Sequence, residues 1–208
     1  MIEVLPDIYV VPANDRKGFG YSHFVRRTSG NVLLPRLKQT LLTDAYDEME
    51  AAGGVSLVLI SDRHFGGPGC RRCGAHFGAP LVASSVEARA IGTRCKVDIA
   101  LPFEPQTIDG TDIEAIPTPG HTAGQMAYLI PVQGKRCLFA GDFAYRSGGA
   151  WRPGSKSRRA MMRGFAALEG VAFDYYVGCA DYGEETSFVA ATSIDELAQD
   201  ILSACTRA

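Results

Sequence analysis

A chain of 208 residues is long enough for one well-buried core or, at most, two small domains. Its 46% hydrophobic and 21% charged residues are ordinary for a globular protein, and a formal net charge of -2 gives nucleic acid or an anionic membrane no general attraction. No apolar run approaches the ~20 residues that span a bilayer, and the start Met1-Ile2-Glu3-Val4-Leu5-Pro6-Asp7 lacks the basic-then-apolar order of a secretory signal, so a cytoplasmic location is expected.

Ile8-Tyr9-Val10-Val11 is a β-branched and aromatic run stopped by Pro12, and reads as a strand. Gly20 to Thr28 alternates loosely; His23 within it is expected to be structural. The turn Ser29-Gly30-Asn31 leads into Val32-Leu33-Leu34. Asp44 to Ala52 predicts a helix closed by Gly53-Gly54. Val55 to Ile60, a nearly unbroken apolar run, predicts a buried strand, and the polar loop Ser61 to Gly69 follows it. Cys70 to Phe77 predicts a short helix ending at His76, followed by a strand from Pro80 to Ala83. A further helix is capped by Ser84 or Ser85, with Glu87 in its first turn.

Strands are then expected at Thr107 to Asp109, Asp112 to Pro117, Met126 to Pro131 and Arg136 to Ala140. Two glycine- or proline-marked loops interrupt them, Pro117 to Thr122 and Gly141-Asp142. A helix over Ser157 to Leu168, a strand over Phe173 to Val177 and a helix over Ser193 to Ser203 complete the chain. This order predicts two packed sheets with helices outside each.

Three of the loops follow buried strands and carry metal-compatible side chains: Asp62 and His64, then His121, then Asp142. Loops at one rim of a sandwich converge, and imidazole and carboxylate suit zinc, iron or manganese. A basic stretch, Arg146 to Arg163, has no acid within it. Arg152 and Arg158 are its candidates for binding an anionic substrate, against the plainer reading of a solvated face. Cys70-Arg71-Arg72-Cys73 has the spacing of a redox pair. No thioredoxin-like context surrounds it, and all six cysteines read as reduced.

These loops resemble the metallo-β-lactamase superfamily. Val58-Leu59-Ile60-Ser61-Asp62-Arg63-His64-Phe65 is similar to its strand and His-x-His-x-Asp-His loop. Pro119-Gly120-His121-Thr122-Ala123-Gly124-Gln125 is similar to its Pro-Gly-His-Thr-x-Gly-Ser, and Leu138-Phe139-Ala140-Gly141-Asp142 to its Leu-Phe-x-Gly-Asp. The resemblance runs over residues 8 to 182 and implies an α/β fold, a four-layered αββα sandwich formed by residues 1–208 as a single domain.

The first motif is eroded: Asp62 stands in place of a histidine, and Gly66-Gly67 replace the Asp-His pair. The family's last histidine would fall near Gly178, in Tyr176-Val177-Gly178-Cys179-Ala180-Asp181. The resemblance therefore implies at most one metal ion, held by Asp62, His64, His121 and Asp142, with Cys179 or Asp181 as a further ligand at most. It also implies a hydrolase of a small ester or thioester, in which Asp142 and His64 act in catalysis. The alternatives are a metal-free binding protein and a thiol redox protein using Cys70 and Cys73.

Overall fold

The computed structural model describes residues 1–12, 21–36, 40–178, 181–182 and 188–205. A seven-stranded sheet takes its strands in chain order: β1 (Ile2–Leu5), β2 (Ile8–Pro12), β3 (Tyr21–Val25), β4 (Val32–Leu34), β5 (Leu57–Leu59), β6 (Leu81–Ser84) and β7 (Ile99–Leu101). Pairing is antiparallel as far as β4 and parallel from there to β7. The change follows from the connections. Hairpins join the first strands, whereas helices α1 (Thr40–Asp44), α2 (Tyr46–Ala51), α3 (Pro68–Phe77) and α4 (Ser85–Gly92) fill the later ones.

The second sheet holds β8 (Gln106–Thr107), β9 (Glu114–Pro117), β10 (Met126–Val132) and β11 (Lys135–Phe139). A small sheet follows, with β12 (Ala144–Ser147) and β13 (Ala150–Pro153) antiparallel. Beyond α5 (Arg158–Leu168), β14 (Tyr175–Val177) joins β11 in parallel, β15 (Asp181–Tyr182) joins β12, and β16 (Phe188–Ala190) joins β14. The chain closes with α6 (Asp195–Ser203).

The layers are written in the period-two alternation of the strands. On β4 and β5, Val32, Leu34 and Leu59 face the other sheet, while Leu33 and Val58 face the first helices with Met49, Cys73 and Ile91. On β10, Met126, Tyr128 and Ile130 point into the sheet–sheet core. Ala127 and Leu129 point outward, to Met161 and Phe165 of α5 and Ile201 of α6. Helices, sheet, sheet and helices form the expected four-layered α/β sandwich. No helix among the described residues is long and apolar enough to cross a membrane.

Local differences from the sequence reading have physical reasons. The helix expected at Asp44 to Ala52 is two short helices broken at Ala45. Arg146 and Arg152, read as part of a basic loop, lie on the β12–β13 hairpin. Trp151 packs edge-on against Tyr176 at 5.6 Å.

His23 sits in β3, wholly buried and edge-on to Phe139. Burial pulls its pKa from 6.5 down to about 3. The unfolded chain therefore takes up the proton first, and the stability that His23 contributes above pH 6.5 is lost as pH falls toward that folded value. Each pH unit in this window costs about 1.4 kcal/mol. Urea unfolding at a series of pH values is expected to show a flatter acid limb for His23→Phe than for the wild type.

Candidate metal centre

The rim of the sandwich where β5, β9 and β11 end gathers three loops. The first leaves β5 in a turn that Asp62 makes for itself: its Oδ1 accepts the His64 backbone N–H at 2.7 Å. The turn brings the two side chains together, with Asp62 Oδ1 3.2 Å from His64 Nδ1. Asp62 is fully buried, and Oδ2 has no hydrogen-bond partner among the described residues. A buried carboxylate oxygen left in this state calls for a cation or a donor.

The second loop is closed by Thr118 N–H to the Gln125 carbonyl at 2.8 Å. His121 Nδ1 lies 2.8 Å from the Gly154 carbonyl. A carbonyl only accepts, so Nδ1 carries the proton and Nε2 presents its lone pair. That Nε2 is 2.9 Å from His64 Nδ1 and 3.9 Å from Asp142 Oδ2. Gly154 reaches the ring because it has no side chain: a Cβ there would fall 1.9 Å from the Asp142 carbonyl oxygen.

The third loop supplies Asp142. Burial raises its carboxyl pKa, opposed chiefly by Arg36, whose Nη1 lies 3.7 Å from Oδ1. The hydrogen bond that Asp62 accepts holds His64 above its ordinary imidazole pKa, although burial works the other way. Asp62, His64 and His121 each offer a ligand atom, all within 4.8 Å of one another, and Asp142 stands beside this set. Two imidazole nitrogens and a carboxylate oxygen are a donor set that suits one borderline divalent ion such as zinc.

The eroded part of the first motif packs tightly against α4. At Gly66 a Cβ would meet Ile91 Cγ2 at 2.5 Å, so α4 fills the space that a ligand side chain would need. Cys179 lies outside the described residues, as does the side chain of Asp181. Arg152 is an exposed residue of β13, and Arg158 donates to the Leu202 carbonyl at the end of α6 at 3.0 Å. Cys70 and Cys73 are free and buried, and burial pushes both thiols up to about 12, the reverse of an activated redox pair.

Two residues that the motifs did not mark support the site. Arg36 is one. The other is Glu87, which accepts from Arg63 Nε and Nη2 at 2.5 and 2.9 Å and from the Gly124 N–H at 2.8 Å. It joins the loop of Asp62 and His64 to the loop of His121.

No family model matches the chain. Among solved structures, a metallo-β-lactamase of Cronobacter sakazakii with a HARLDQ motif is 18% identical over 86% of this chain and 80% of that one, with a TM-score of 0.63. The metallo-β-lactamase GOB-18 of Elizabethkingia meningoseptica is 13% identical over 86% and 76%, with a TM-score of 0.62. A subclass B3 metallo-β-lactamase of Bradyrhizobium japonicum is 18% identical over the same shares, with a TM-score of 0.59. The chain has the metallo-β-lactamase fold. Within that fold, the rim carrying Asp62, His64 and His121 is where the three resembling motifs meet.

Removing the link between the two histidine loops has a defined cost. Glu87→Ala leaves the buried Gly124 N–H without its acceptor while the half-exposed Arg63 can turn to water, and is expected to destabilise the fold by about 2 kcal/mol. Zinc affinity is expected to fall by about tenfold, because the ligand loops lose their shared anchor. Denaturant unfolding and competition with a chelating dye measure the two effects separately.

Proposed function

We propose that this protein is a hydrolase using one divalent ion, zinc, iron or manganese, held by Asp62, His64 and His121. Its proposed substrate is an ester or thioester of a small, anionic metabolite. The observation that carries this reading is the convergence of two imidazoles and a buried carboxylate at the loop rim. Such an ion supplies Lewis acidity, polarising the scissile carbonyl and making water more acidic.

The chain's own groups do the rest. The Gly154 carbonyl keeps the His121 Nε2 lone pair turned toward the site. Asp142, 3.9 Å from that nitrogen and raised in pKa by burial, is the base at hand to take up a proton from water. His64, with a half-exposed side chain, marks the open side from which a small substrate enters. The net charge of -2 favours a small molecule over nucleic acid or a membrane surface as the partner.

A metal-free binding protein is the second reading, favoured by one observation. His64 Nδ1 and His121 Nε2 hydrogen-bond each other directly at 2.9 Å, which satisfies both without an ion.

Elemental analysis of the purified, tag-free protein separates the two. About one equivalent of metal per chain is expected, lost in His64→Ala and in His121→Ala. Because the His64 pKa is raised, protons compete for its nitrogen at higher pH than for an ordinary histidine. Zinc affinity is therefore expected to fall as the pH drops, and to begin falling at a higher pH than with an ordinary histidine ligand. Failure to take up metal from excess zinc, iron or manganese would leave the binding reading alone.

A further inference from the structure

The positive charge at the rim comes from a residue outside every motif. β4 is parallel to β5, so Pro35-Arg36 leaves its C-terminal end at the same rim as Asp62. The backbone N–H of Arg36 donates to Ser22 Oγ at 2.7 Å. Its guanidinium carbon lies 5.8 Å from the centre of the Phe65 ring, and Nη1 lies 3.7 Å from Asp142 Oδ1. The side chain is only 12% exposed, so solvent screens its charge weakly.

The charges of the cluster decide what this guanidinium does. Asp62 and Asp142 set two negative charges against one positive, while Arg63 is already answered by Glu87. One divalent ion turns that surplus of one negative charge into a surplus of one positive charge. The rim then suits a single anionic group, and the Arg36 guanidinium stands 3.7 Å from Asp142 within it. A fixed charge acts at this range whatever its own hydrogen bonds.

Three other arginines among the described residues are engaged away from this rim. Arg158 is engaged with the end of α6. In the 580 Å³ cleft at the opposite end of the sandwich, Arg26 pairs with Asp7 and Arg27 with Asp112.

We propose that Arg36 is the anion-binding residue of this site, holding a carboxylate or phosphate group of the substrate beside the ion. The inference rests on the one-ion reading of the function. Its test uses the full chain loaded with one equivalent of zinc, as wild type, Arg36→Gln and Arg36→Lys. Each is titrated calorimetrically with inorganic phosphate and, separately, with acetate.

Arg36→Gln is expected to keep its zinc and to bind the preferred anion at least about tenfold more weakly. Arg36→Lys should recover most of that loss. The anion whose affinity falls further identifies the substrate group. If Arg36→Gln does not fold, Arg36→Met, which keeps an aliphatic stem against Phe65, is read in the same way. Equal anion affinity in the zinc-loaded wild type and charge-removed variants overturns the role of Arg36 and leaves the one-ion reading standing. A wild-type protein that takes up no zinc overturns both.

Discussion

One buried carboxylate governs the geometry of the rim. Glu87 lies in the first turn of α4, where Ser84 Oγ accepts its backbone N–H and also donates to the Gly124 carbonyl at 2.6 Å. Arg63 stands between Asp62 and His64 in the chain, and Gly124 comes three residues after His121. Their shared partner therefore fixes the spacing of the two histidine loops. Burial alone would push the Glu87 carboxyl up, but Arg63 and the Gly124 N–H outweigh it and hold the group below its ordinary pKa of 4.5. The ion pair thus stabilises the fold above that pH, and its contribution fades as pH falls through the lowered folded value. A ligand set assembled from separate loops needs such a pin, because each loop's own hydrogen bonds fix its shape but not its distance from the others.

Much of the fold was legible because the strands alternate. Each inner strand sends every second side chain into the sheet–sheet core and the others toward helices, a pattern that short apolar runs such as Val55 to Ile60 carry openly. Pairing direction was not legible, and this concealed Arg36. Once β4 is known to run parallel to β5, the rule that places chemistry at strand C-termini points to Arg36 as readily as to Asp62. The β12–β13 hairpin escaped for a different reason: its residues are mostly half-exposed, so its polar sequence resembles a loop. Glu87 was read as a charge favouring the helix dipole, which is correct for its position but does not reveal what its carboxylate holds.

The eroded first motif has a structural logic of its own. Asp62 binds the His64 N–H and so shapes its own loop, a task for which a short carboxylate is suited. With Gly66 pressed against Ile91, α4 packs closely under this loop and leaves no room for a side chain at that position. Arg36 then supplies, beside Asp142, a positive charge that needs no ligands of its own.

Two states compete for the histidine pair. In one, His64 Nδ1 donates to His121 Nε2 and Asp62 Oδ1 lies close to the same proton. In the proposed ion-bound state, that proton has left and both nitrogens serve the ion. The first state leaves Asp62 Oδ2 orphaned in the interior, a desolvation cost of the order of 1–3 kcal/mol that it never recovers. The second requires deprotonation of a histidine whose proton is held more firmly than usual. The balance is therefore set by pH and by free metal together. In the proposed one-ion reading, uptake of the ion is favoured wherever the His64 proton is scarce, and the buried Asp62 oxygen that the hydrogen-bonded pair leaves unmet calls for a cation or a donor.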